Sequence, residues 1–249
     1  MRISPWFWLA NALLGWSFAS QIAVGSRGAV TAGAALLIWI VAVLVSIVIH
    51  EMGHALAYRH YGVASHIVLY HFGGLAIADQ SYDNLGDRRI HHPKRQIVIS
   101  LAGPLTEMIV GIALIAILFV GGYGIDNPIP QISQLDFLED GKPLPSIALI
   151  ALVDAFIYCS VWWALMNLLP VYPLDGGRVS RELFTLSNAR EGIRSSLMLS
   201  IAAGAAVAIW ALSQHQTFLA LMFGGLAYSS FVTLQAYMGR GGGFGGGAW

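Results

Sequence analysis

Charge is what this chain has least of. Asp, Glu, Lys and Arg make up 10% of its 249 residues, against about 25% in soluble globular domains. That deficit excludes an ordinary water-facing surface. With 57% hydrophobic residues and a mean hydropathy of +0.68, the chain falls in the membrane class. Its formal net charge is zero, so there is no basic field to attract nucleic acid, and no such partner is expected. The one cysteine, Cys159, lies in an apolar run, which excludes a disulfide framework within one chain. Basic residues before the first apolar stretch are also scarce: Arg2 alone precedes Trp6-Phe7-Trp8. The nearest approach to a signal-peptide cleavage site is Ala19-Ser20-Gln21, and a retained first span is expected instead. There is no internal repeat and no polar stretch long enough for a second domain. One membrane-embedded domain is therefore expected over 1–249, ending in a flexible Gly-rich tail at 239–249.

What is abundant is long apolar sequence. A transmembrane helix needs about 20 mostly apolar residues, and six candidates run at 6–23, 32–58, 96–120, 147–169, 195–213 and 217–238. The fold class expected is an all-α polytopic membrane protein. Asn11, Ser17, Ser20 and Gln21 dilute the first span, whereas residues 28–49 carry no charge. With six spans, both termini and the 2–3 and 4–5 loops share a side. That side holds eleven of the thirteen Lys and Arg residues; Arg27 and Lys142 lie on the other. The bias predicts cytoplasmic termini, and we expect a multi-pass protein of a bacterial or archaeal cell membrane. Between spans 2 and 3, residues 65–78 place β-branched and aromatic residues around Gly73-Gly74, a hairpin pattern apolar enough to dip into the bilayer. Residues 79–95 are polar and basic, and the 3–4 loop is acidic and Pro-rich.

The chemistry concentrates in His50-Glu51-Met52-Gly53-His54, near the cytoplasmic end of span 2. Two histidines at i and i+4 share a helix face and can share one zinc ion, and Glu51 sits where it can take a proton from zinc-bound water. A polar helix end with incidental histidines is the plainer reading. Its location disfavours that reading, because a charge at the centre of a membrane helix costs ~2.5–3.5 kcal/mol on insertion scales. A catalytic zinc wants three protein ligands and an open position. Asn167-Leu168-Leu169-Pro170-Val171-Tyr172-Pro173-Leu174-Asp175-Gly176-Gly177 offers Asp175 on backbone expected to be non-helical, broken by two prolines and turning at the glycines. Taken alone, Asp175 would be an ordinary turn carboxylate; beside a zinc pair that lacks a ligand it is the best candidate. Glu107 in span 3 either borders the polar cavity or bonds between helices, and Asp154 in span 4 leans to the structural role. His66 and His71 are weaker ligand candidates, and His91-His92 are expected to be solvated.

The paired motifs, His50-Glu51-Met52-Gly53-His54 and Asn167-x-x-Pro170-x-x-x-x-Asp175-Gly176, resemble the site-2 protease family of intramembrane zinc metalloproteases. Ala102-Gly103-Pro104 and Phe72-Gly73-Gly74 are similar to that family's pattern as well, the latter where members place a membrane-dipping β-hairpin. The resemblance spans about 45–180. It implies His50, His54 and Asp175 as ligands of one Zn2+ per chain, Glu51 as catalytic base, and a substrate-contacting role for Asn167. It implies regulated hydrolysis of peptide bonds within or near transmembrane segments, the substrate being a membrane-tethered regulator of transcription or a leftover signal peptide. The hairpin, with Gly73 and Gly74, would pair with an extended substrate strand. Only a minimal core is expected, with room for neither the PDZ domain of some members nor the cystathionine-synthase-type domain of others. Two other classes fit less of the sequence: a zinc transporter needs neither Glu51 between the ligands nor the hairpin, and an idle scaffold would be expected to have lost Glu51 or a ligand.

Overall fold

Thr31 ends a turn and starts the longest helix, its hydroxyl accepting from the Ala34 N–H at 3.2 Å. The computed structural model describes residues 2–3, 5–70, 73–78, 92–125, 135 and 138–240. Within them, α1 is Pro5–Gly25, α2 Ala32–His60, α3 Pro93–Val120 and α4 Ile147–Tyr158. A π-helical turn, Cys159–Trp163, leads into the short α5, Ala164–Asn167; then come α6, Asp175–Ser187, α7, Ala189–Ser213, and α8, Thr217–Arg240. Strands β1, Arg2–Ile3, β2, Ser65–Tyr70, and β3, Gly73–Ala78, complete the described elements.

Six helical stretches are long and apolar enough to cross a membrane: Phe7–Gly25, Ala32–His60, Pro93–Val120, Ile147–Asn167, Glu191–Ser213 and Thr217–Gly239. They match the six expected spans to within a few residues. At most 44% of any span's apolar window is buried. Leu13, Ile117 and Leu221 are about 70% exposed, an apolar surface that water would not tolerate and lipid would. The chain is thus a mostly helical, multi-pass integral membrane protein.

Contacts divide the chain into two units. The first is drawn from Met1–Asp87 and Ala102–Met166, the second from Arg88–Leu101 and Asn167–Trp249. In the first, Phe7, Val43, Ile47 and Cys159 form one buried cluster, and Ala19, Val30 and Ala35 form another. Ile125, Leu138, Leu144, Val153, Ile157 and Val161 form a third. Burial of a large aliphatic or aromatic side chain contributes about 1.5–3 kcal/mol in water. In lipid that drive is absent, and close packing of small residues takes over. Accordingly, a Cβ on Gly15 would lie 2.3 Å from the Trp39 ring, and one on Gly111 2.9 Å from Ser160 Cβ. In the second unit α7 packs on α8, where a Gly204 Cβ would meet Ala227 at 3.1 Å.

The sheet order is β1-β2-β3. β2 and β3 pair antiparallel from Ser65↔Ala78 to Tyr70↔Gly73. Two features differ from expectation. Gly73 and Gly74 open β3, opposite Tyr70 and Leu69, and do not form the turn. Residues Arg2 and Ile3 add a parallel strand against Val68 and Leu69; two residues are too few to leave a period in sequence. The polar segment 79–91, His71 and His91, and the tail from 241 onward lie outside the described residues.

Candidate metal centre

His50 lies about 27 Å along α2 from Ala32, at 1.5 Å per residue, close to the end of a ~30 Å hydrocarbon layer. The helical repeat does what the spacing promised. The Nε2 atoms of His50 and His54 face each other at 3.1 Å, and their rings meet edge to face with centroids 4.8 Å apart. Both side chains are buried, as is Glu51 between them.

The reason two imidazoles fit here lies in two glycines. A Cβ on Gly53 would sit 2.4 Å from the Ala102 carbonyl oxygen, so α2 and α3 approach backbone to backbone at that point. A Cβ on Gly103 would sit 2.3 Å from His54 Nε2 and 2.8 Å from His50 Nε2. Gly103 therefore keeps open the space onto which the two ring nitrogens converge. Pro104 follows it inside α3, fully buried.

Glu107 comes from the next turn of α3, 1% exposed. Its Oε2 lies 2.8 Å from His50 Nδ1, and its Oε1 accepts from Ser46 Oγ at 2.5 Å. These contacts join α3 to α2 and also set the carboxylate against a histidine of the metal group, so they fit both readings open in the sequence. Asp154, a further acidic residue within a span, is half-buried in α4.

Asp175 is reached through a different piece of local structure, and here the structure corrects the sequence reading. Asp175 is not on non-helical backbone; it is the first residue of α6, which runs to Ser187. The glycines behind it do not turn the chain. A Cβ on Gly176 would fall 2.0 Å from the Leu168 oxygen, and one on Gly177 2.5 Å from the Tyr172 nitrogen. The helix start is thus packed directly on the backbone of 168–172. A carboxylate in the first turn faces the positive end of the helix dipole, favourable by ~0.3–1 kcal/mol at exposed sites. The same segment is held from the other side. Ser200 Oγ in α7 accepts from the Tyr172 N–H at 3.0 Å, and Ser230 Oγ in α8 donates to the Tyr172 carbonyl at 3.4 Å. Both serines are 1% exposed. Sequence reasoning passed over them, and a serine in the middle of an apolar span was the available signal.

His50, His54 and Asp175 are all buried and offer ligand atoms that lie within 4.8 Å of one another, a group that could hold one metal ion. The donor set suits zinc: two imidazoles and a carboxylate are the ligands of many catalytic zinc sites. Tetrahedral coordination at Zn–N of about 2.0–2.1 Å would place the two nitrogens ~3.3 Å apart, close to the distance found. Among the described residues no other such group occurs. His66 is exposed on β2, His92 is exposed ahead of α3, and Asn167 is half-buried at the end of α5.

Both curated relatives that follow carry the name of a zinc metalloprotease. A zinc metalloprotease of Methanocaldococcus jannaschii is 30% identical over 144 residues, 57% of this chain and 32% of that protein. A provisionally named zinc metalloprotease of Synechocystis is 29% identical over 139 residues, 55% of this chain and 29% of its own length. The chain thus spans about a third of the length of the curated relatives it matches. Among solved structures, the site-2 protease from Methanocaldococcus jannaschii aligns with a TM-score of 0.51 at 18% identity, covering 90% of this chain and 88% of that one; the folds are alike. The profile of Peptidase family M50 matches residues 38–211, a stretch that contains the histidine pair, Glu107 and Asp175, and the chain therefore belongs to Peptidase family M50.

Proposed function

We propose that this protein is a zinc-dependent endopeptidase that hydrolyses peptide bonds within or near transmembrane segments of other membrane proteins. The observation that carries the reading is the His50–His54 pair, with facing Nε2 atoms 3.1 Å apart and a glutamate between them on one helix turn. In this reading His50, His54 and Asp175 hold one zinc ion, and the protein acts as a single membrane-embedded domain. When bound, zinc supplies the Lewis acidity that activates water and polarises the scissile carbonyl. Glu51 accepts the proton of the attacking water and returns it to the departing amine. The Asn167 amide donates to the oxygen on which charge develops. Burial of all four charged or metal-binding side chains strengthens each of these electrostatic contacts.

The scissile segment has to leave its helix before it can be cut, and a strand that offers main-chain partners stabilises the unwound form. In the sheet order β1-β2-β3, β3 is an edge and carries Gly73 and Gly74. We assign the substrate strand to that edge and the hairpin to the bilayer boundary. Backbone N–H groups alternate in direction along a strand, so of Ala76→Pro and Ile77→Pro one removes a donor from the outer edge and the other removes a donor from the pairing with β2. The outer-edge variant should lower the cleavage rate while leaving zinc content unchanged. If neither variant slows cleavage, the substrate is not held by this edge.

The eleven-to-two distribution of Lys and Arg across the spans supports cytoplasmic termini. Cleavage of a membrane-inserted polypeptide by the purified chain in lipid vesicles, with zinc as the added metal, tests the whole reading. Asp175→Ala should lower both zinc occupancy and turnover. Zinc retained in full in that variant would place the third ligand elsewhere, and zinc movement across the vesicle without proteolysis would overturn the enzyme assignment.

A further inference from the structure

The buried carboxylate of Glu107 does more than join helices. It lies against Nδ1 of His50, on the side of the ring opposite the nitrogen that faces His54. An ionised carboxylate only accepts hydrogen bonds. Where Nδ1 donates to this oxygen, the lone pair of the imidazole is left on Nε2. The other carboxylate oxygen accepts from Ser46 Oγ, one turn before His50 on the same helix. Because Ser46 gives its proton to Glu107, its contact with Ser160 Oγ at 3.3 Å has Ser160 as donor. Ser160 belongs to the π-helical turn Cys159–Trp163, an irregularity found mostly at functional sites. Ser46, Glu107 and Ser160 are each no more than 1% exposed. The chain of donors thus runs Ser160 to Ser46 to Glu107, with His50 donating to the same carboxylate from the other end. A glutamate in the apolar part of a membrane helix is costly, and a helix-joining role alone would not require it to contact a metal-site histidine.

We propose that Glu107 is a positioning residue for the metal centre: it holds the His50 ring in one tautomer and one orientation, and Ser46 and Ser160 hold the carboxylate. This rests on the zinc reading above. Outer carboxylates of this kind typically change metal affinity or activity by about 10–100-fold when removed.

The test uses the full chain in detergent, stripped of metal and titrated with Zn2+ against a chromogenic chelator, and separately with Co2+ followed by its visible spectrum. In Glu107→Gln the amide oxygen can still accept from His50 and the amide nitrogen can donate to Ser46, so the shape is kept and the charge lost. Zinc affinity should fall by about 10–100-fold and the cobalt bands should shift, while metal-free thermal unfolding stays near wild type. Glu107→Asp keeps the charge at a shorter reach and should recover part of the affinity. Wild-type zinc affinity with an unchanged cobalt spectrum in Glu107→Gln would overturn the proposal. Should the variants fail to fold, 15N-histidine spectra of the metal-free wild-type protein decide. A His50 protonated at Nδ1 is expected, and one protonated at Nε2 refutes it. Failure of the wild type to bind zinc would be a separate result, removing the zinc reading and this proposal together.

Discussion

Glu51→Gln should reduce peptide hydrolysis by about 10²–10⁴-fold, the usual contribution of a positioned general acid or base, while zinc content stays near wild type. The amide is nearly isosteric, so α2 and the histidine pair on it keep their packing. What it lacks is the ability to take a proton. Glu51 is 3% exposed, and water cannot easily replace a base held in so closed a place. Metal analysis of the purified variant beside a cleavage assay separates the two properties. Full proteolysis by Glu51→Gln would remove Glu51 from the catalytic role. Loss of zinc in that variant would instead mean that the carboxylate supports the metal directly.

Gly103→Ala should have the opposite signature, in which metal and activity disappear together. The added methyl would lie 2.3 Å from His54 Nε2 and 2.8 Å from His50 Nε2, in the space where the two ring nitrogens converge. Neither ring can retreat easily. His50 is tied to Glu107, and α2 is already in backbone contact with α3 at Gly53. Forcing extra volume into a packed site typically costs ~1–3 kcal/mol, and here the cost falls on the ligand geometry. Zinc occupancy is expected to drop by at least tenfold, with turnover falling in parallel. A metal-replete, active Gly103→Ala protein would show that the rings turn aside and that the glycine serves only helix packing.

These two expectations show what was legible in the sequence and what was not. The spans were visible because lipid demands uninterrupted apolar length, and a charge-free run as long as 28–49 is rarely tolerated in a water-soluble chain. The histidine pair was visible because helical spacing is a one-dimensional signal. Gly103 was noticed only as part of a motif. That its missing Cβ faces two imidazoles is a fact about two helices crossing, which no spacing along one of them encodes. Helix α6 was hidden for a similar reason. Two glycines each cost a helix about 1 kcal/mol relative to alanine, so the segment read as a turn. The helix forms there because its glycines allow backbone contact with 168–172. Glu107 stood out as an expensive residue, yet its partner is 57 positions away, and either role was open in the sequence. The π-helical turn at Cys159–Trp163 has no sequence signature of its own.

The clamp on Tyr172 also bears on timing. The backbone of Tyr172, just ahead of Pro173 and Asp175, is fastened at its N–H by Ser200, 28 residues downstream, and at its carbonyl by Ser230, 58 residues downstream. A ribosome adding about 5–20 residues per second takes roughly 3–12 s to travel from the first of these points to the last. For nearly all of that interval the nascent chain already contains the histidine pair and the aspartate, but not both of the serines that hold the approach to the aspartate in place. Residues from α7 and α8, which read as plain membrane anchors, thus supply the final fastening, and the geometry around Asp175 is completed only as the last described helix is made.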